Sequence, residues 1–83
     1  MSNHGRQVLV KVVCGPRERD MWLDPGWTVR HACEIAGRQL GLVPGRTCLR
    51  WRDSGKPLGV GTLASEGVLD GGVLEAYYKG EGQ

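Results

Sequence analysis

Residues 28–41 read Thr28-Val29-Arg30-His31-Ala32-Cys33-Glu34-Ile35-Ala36-Gly37-Arg38-Gln39-Leu40-Gly41, and this stretch decides the fold. Val29, Ala32, Cys33, Ala36 and Leu40 recur at helical spacing and share one face, while Arg30, His31, Glu34, Arg38 and Gln39 point elsewhere. Thr28 suits the N-cap, because its hydroxyl can accept a bond from an orphaned amide of the first turn. Gly41 suits the residue past the C-terminus, where a left-handed conformation carries no Cβ penalty. The apolar face is narrow and made of small residues, as in a helix lying close against a sheet. Gly37 interrupts that helix at up to ~1 kcal/mol relative to alanine. It stands where helix and sheet could approach closely.

The rest of the chain reads as short strands and turns. Gln7 to Cys14 is rich in β-branched residues, with Val8, Val10 and Val12 on the core face and Leu9, Lys11 and Val13 on the other. Gly15 to Arg19 reads as a turn. Asp20 to Asp24 returns as a second strand, Met21 and Leu23 inward and Trp22 outward. After the helix, Val43-Pro44-Gly45 breaks the pattern. Thr47 to Arg52 alternates, with Leu49 and Trp51 opposed to Cys48, Arg50 and Arg52. A turn at Asp53 to Lys56 leads into a short edge piece, Pro57-Leu58. Thr62 to Glu66 begins as a capping box of Thr and Glu that Gly67 stops. Val73 to Lys79 is the last strand, Leu74 and Ala76 inward. The first and last strands are the most apolar and are expected side by side in mid-sheet. This predicts an α+β roll: a mixed sheet of four to five strands on one helix. Its core is Val8, Val10, Val12, Met21, Leu23, Val29, Ala36, Leu40, Leu49, Leu63, Val68 and Leu74. Residues 1–6 are expected as a flexible lead, 7–79 as the domain and 80–83 as a flexible tail.

Composition narrows the function. A chain of 83 residues has room for one small core and no separate substrate domain. The formal charge of +2 is too mild for a dedicated polyanion binder. No apolar run approaches the ~20 residues that span a membrane, and residues 1–14 do not read as a signal peptide, so a cytoplasmic protein is expected. Cys14, Cys33 and Cys48 match no zinc spacing, and Cys33 reads as a small core residue. No His, Cys and acid set converges and no phosphate loop is present, so neither enzyme, cofactor nor metal is expected. Lys11, Arg50 and Arg52 make a weak case for nucleic acid, since acids intersperse them and no base-stacking motif appears.

The order of these pieces resembles ubiquitin and its β-grasp relatives. Gln7 to Val13 is similar to the family's first strand, and Leu23-Asp24-Pro25-Gly26-Trp27-Thr28 to its acidic-proline turn and helix cap. Leu49 to Leu58 is similar to the third strand, glycine-lysine turn and short fourth strand. Thr62 to Tyr78 is similar to the family's ending. The same ending resembles ubiquitin-like proteins encoded at bacterial type VII secretion loci. Two departures follow. Arg50 stands where the family has the central isoleucine of its exposed apolar hot spot, and the tail reads Gly80-Glu81-Gly82-Gln83 instead of ending in two glycines.

The resemblance implies a bacterial, cytoplasmic protein modifier attached to targets by an isopeptide bond. C-terminal processing would remove Gln83 and expose Gly82, with Gly80 giving the tail a thin profile. Its implied partners are activating (E1-like) and conjugating (E2-like) enzymes, a processing protease and target proteins. The alternative is a non-covalent interaction module of a type VII secretion-type machine. In either case partners are expected on the sheet face away from the helix, at Leu9, Lys11, Arg50, Arg52 and Tyr77, where an aromatic and arginines adjoin an aliphatic residue.

Overall fold

The structure is a computed structural model that describes residues 7–79. The expected lead and tail fall outside the described residues. Strand β1 spans Val8–Cys14, β2 Arg17–Leu23, helix α1 Val29–Leu40, β3 Thr47–Trp51 and β4 Val73–Tyr78; a 3₁₀ turn covers Pro44–Arg46. The sheet order is β2-β1-β4-β3, with β1 and β4 parallel at its centre and the outer pairs antiparallel. The mixed sheet on a single helix is the expected architecture, with four strands; Pro57 contributes only an isolated bridge to Arg50.

Helix α1 is capped as its sequence dictates. The Thr28 hydroxyl accepts a bond from the His31 amide at 3.1 Å, and Gly41 takes φ +74°. Arg17 reaches over from β2 and donates to the Leu40 carbonyl at 2.7 Å, satisfying one of the last carbonyls of the helix. Val29, Ala32, Cys33, Ala36 and Leu40 are all buried against Val10, Val12, Met21, Leu23, Leu49, Leu63, Val68, Leu74 and Ala76. Of the expected core only Val8 is half-buried, packing at the margin where β1 begins. Gly37 is buried, and a Cβ there would stand 2.7 Å from Thr47 Oγ1 and 3.0 Å from Pro44 Cα. The glycine therefore sets how closely the helix meets the start of β3.

Two local expectations are corrected. Strand β2 begins at Arg17, because the turn is only Gly15-Pro16 and Cys14 pairs with Arg17. Gly15 has φ +61°, and proline can supply only a negative φ next; that combination is a type II′ hairpin, whose twist lets both strands pair to the turn. The capping partner of Thr62 is Ser65, not Glu66: the Thr62 hydroxyl accepts from the Ser65 amide at 3.1 Å and the Ser65 hydroxyl from the Thr62 amide at 2.9 Å. Glu66 lies one residue too far and instead accepts the Gly59 amide at 2.8 Å. Val13 faces away from the helix yet is 5% exposed, flanked in register by the longer side chains of Glu18 and Glu75.

Candidate functional site

The helix covers one side of the sheet and leaves the other open. The register orders that open face into rows across the strands. Trp22 and Leu9 form the first row; Asp20, Lys11, Val73 and Arg52 the second; Glu18, Val13, Glu75 and Arg50 the third; Tyr77 and Cys48 the fourth. All five residues expected to bind partners lie on this face, but they do not meet in one patch. Lys11 is level with Val73, Leu9 precedes Lys11 by one row, and Tyr77 is two rows past Val73. Leu9 and Tyr77 are therefore about 20 Å apart along the strands at ~3.3 Å per residue.

One end of the face is polar and internally matched. Arg50 Nε donates to Glu75 Oε1 at 2.9 Å, and the guanidinium stands over the Tyr77 ring, 4.6 Å from its centroid. This ion pair and cation–π contact hold Arg50 flat against β4. The Tyr77 hydroxyl has its pKa raised, by desolvation first and then by Cys48, with Arg50 opposing. A second cation–π contact, Arg46 over Tyr78 at 5.5 Å, lies at the end of β4, where the Lys79 amide donates to the Arg46 carbonyl at 2.8 Å.

The other end is apolar, and sequence reasoning undervalued it. Trp22 is 60% exposed and Val73 37% exposed, with half-buried Leu9 between them. The pattern placed Trp22 outward, but only the β1–β2 and β1–β4 registers bring Leu9, Trp22 and Val73 together. Lys11 reaches Glu18 at 3.8 Å. Asp70, beside this end, is structural: its carboxylate accepts the Leu9 amide at 2.7 Å. Arg52 has no carboxylate within salt-bridge distance among the described residues.

A shallow groove of about 700 Å³ runs along the β3 edge between the start of α1 and residues 58–60. Cys33 borders it but is 8% exposed, and burial pushes its thiol up to about 11, aided by Cys48 and opposed by the Leu49 backbone amide. Such a thiol is not an activated nucleophile. Cys14, Cys33 and Cys48 are all unpaired. Among the described residues no group of three or more His, Cys, Asp or Glu could hold a metal ion, and no helix is long and apolar enough to cross a membrane. The conjugation residues Gly80, Gly82 and Gln83 lie outside the described residues.

One helix gripped by a mixed sheet with parallel central strands defines a β-grasp protein. More particularly, the chain folds as a ubiquitin-like β-grasp domain, as solved structures bear out. It is similar to Caldiarchaeum subterraneum ubiquitin at 25% identity and TM-score 0.73, over 93% of this chain and 99% of that one. It also overlays the ubiquitin-like domain of Plasmodium falciparum Dsk2 (20% identity, TM-score 0.76, 88% of this chain and 99% of that one). Protomer 1 of the ESX-3 core complex matches at 27% identity and TM-score 0.73, over 93% of this chain but 17% of that one. No family model and no curated protein matches the sequence.

Proposed function

We propose that this protein is a ubiquitin-like modifier of a bacterial ubiquitination-like pathway, joined to its targets through residues 80–83. The observation that carries the reading is the overlay with an archaeal ubiquitin, which this chain matches over 99% of that protein's length. In this scheme a protease hydrolyses the Gly82–Gln83 bond with water. On an activating enzyme the freed Gly82 carboxylate then attacks the α-phosphate of a nucleoside triphosphate, breaking the α–β phosphoanhydride bond and releasing pyrophosphate, to give an acyl nucleotide. The acyl group passes to the thiol of a conjugating enzyme and finally to a target lysine amine, the nucleotide and thiol leaving in turn. Glycine at position 82 offers no side chain to obstruct a narrow enzyme channel. Non-covalent contacts with these enzymes fall on the open face carrying Leu9, Lys11, Arg50, Arg52 and Tyr77.

The second reading is a non-covalent module of a type VII secretion-type machine, favoured by the 27% identity to the ESX-3 protomer. An N-terminally tagged chain, recovered from its source cells under denaturing conditions, separates the two. The modifier reading expects a ladder of heavier adducts that vanishes when residues 80–83 are deleted. Absence of any ladder, together with co-purification in a large native complex, would leave the module.

A further inference from the structure

We propose that the apolar end of the open face, formed by Trp22, Leu9 and Val73, is a docking surface for an amphipathic helix of another protein. That helix would carry a carboxylate on the flank facing Arg52 and a base on the flank facing Asp20. The proposal takes from the preceding reading only that partners use the open face; it does not depend on the tail.

The patch is built by register. The Leu9 carbonyl accepts the Gly71 amide at 2.8 Å and so points toward β4, away from β2. Leu9 and Trp22 are therefore a non-hydrogen-bonded antiparallel pair, the kind whose side chains approach most closely. Val73 lies on the next row, beside Lys11.

Size selects the occupant. Even a fully exposed tryptophan presents no more than about 250 Å², so Trp22, Leu9 and Val73 together offer less than roughly 400 Å². A stable dimer of this chain would need about 800 Å² per copy. The patch suits a single short segment. Geometry selects its form. Backbone N–H and C=O groups lie in the plane of the sheet, so its face offers side chains only. A segment lying there must satisfy its own backbone, which a helix does and an extended strand does not.

Charge selects its orientation. The row beside Trp22 and Leu9 runs Asp20, Lys11, Val73, Arg52, with acid toward β2 and base toward β3. Lys11 is engaged by Glu18, whereas Arg52 has no acidic partner among the described residues. A helix docked across this row is matched when its acidic flank lies toward β3.

The test is an amide-shift titration of the full chain with a synthetic helix of about 14 residues. The peptide carries Leu at i, i+3, i+4 and i+7, with Glu on one flank and Lys on the other. Saturable shifts at residues 9–11, 20–22 and 73 are expected. Trp22→Ser should weaken binding at least ~10-fold, the loss of one aromatic anchor. Arg52→Glu should weaken the Glu-flanked peptide, and replacing its Glu residues with Lys should restore binding. No saturation by about 1 mM overturns the proposal. So do shifts centred on Arg50 and Tyr77, shifts along the outer edge of β2 that mark an added strand, or concentration-dependent self-association abolished by Trp22→Ser. Because the tail is not involved, the result is independent of whether adducts form.

Discussion

Arg50 and Glu75 face each other directly across β3 and β4, and Arg50 Nε lies 2.9 Å from Glu75 Oε1. An ion pair thus stands on the strand position where the sequence resemblance to ubiquitin would set an exposed isoleucine. Domains that read ubiquitin through that apolar centre would have to desolvate the pair and separate it from the Tyr77 ring. Arg50→Ala should lower stability by about 0.5–1 kcal/mol, given the partial exposure of both partners. A double-mutant cycle with Glu75→Ala should return a coupling of similar size. Arg50→Glu sets two carboxylates against each other and should destabilise more, with the swap Arg50→Glu, Glu75→Arg regaining most of the loss. Additive single mutants would show that the contact contributes nothing.

Gly37→Ala reverses the usual rule for helices. Propensity alone favours alanine by about 1 kcal/mol. Here the new methyl would stand 2.7 Å from Thr47 Oγ1, 3.0 Å from Pro44 Cα and 3.2 Å from Thr47 Cβ. Thr47 is held in turn by its bond to the Val43 carbonyl at 2.8 Å, so it cannot move aside freely. Chemical denaturation should show a net loss of about 1–3 kcal/mol. A gain in stability would mean that helix and β3 can separate without penalty.

Cys33 ties stability to alkaline pH. Its thiol rises from 9.0 to about 11 on folding, so the folded chain binds a proton that the unfolded chain releases earlier. The stability this provides is fully present below about pH 9 and is lost as pH climbs toward 11. Urea midpoints should fall across that window, and Cys33→Ala should flatten the fall. Alkylation near pH 8 should modify half-buried Cys14 and Cys48 before Cys33. Equal rates at the three thiols would place Cys33 outside the core.

The helix and its caps were legible because each signal there is local. Thr28, Gly41 and the small apolar stripe act within a few turns, and the structure uses all of them as expected. The start of β2 was obscured because Arg17-Glu18-Arg19-Asp20 has the composition of a loop. As an edge strand it keeps those charges in water, where they also discourage pairing with other chains. The partner face was legible as a face and not as a site. Alternation says which side a residue takes, but register alone decides that Trp22 meets Leu9 while Tyr77 lies ~20 Å away. Nor could half-buried Arg50 be seen to lie against Glu75 and Tyr77, which sit on a strand distant in sequence.

Covalent attachment of this ubiquitin-like domain through Gly82 would leave a chemical trace on its targets. The most direct measurement is mass spectrometry of the protein purified from its source cells under denaturing conditions and digested to reveal branched peptides. Attachment through Gly82 predicts target lysines bearing the remnant of this chain ending at Gly82, with Gln83 absent from every conjugated form. Intact chains retaining Gln83, with no branched peptide under conditions where the protein is abundant, would contradict it.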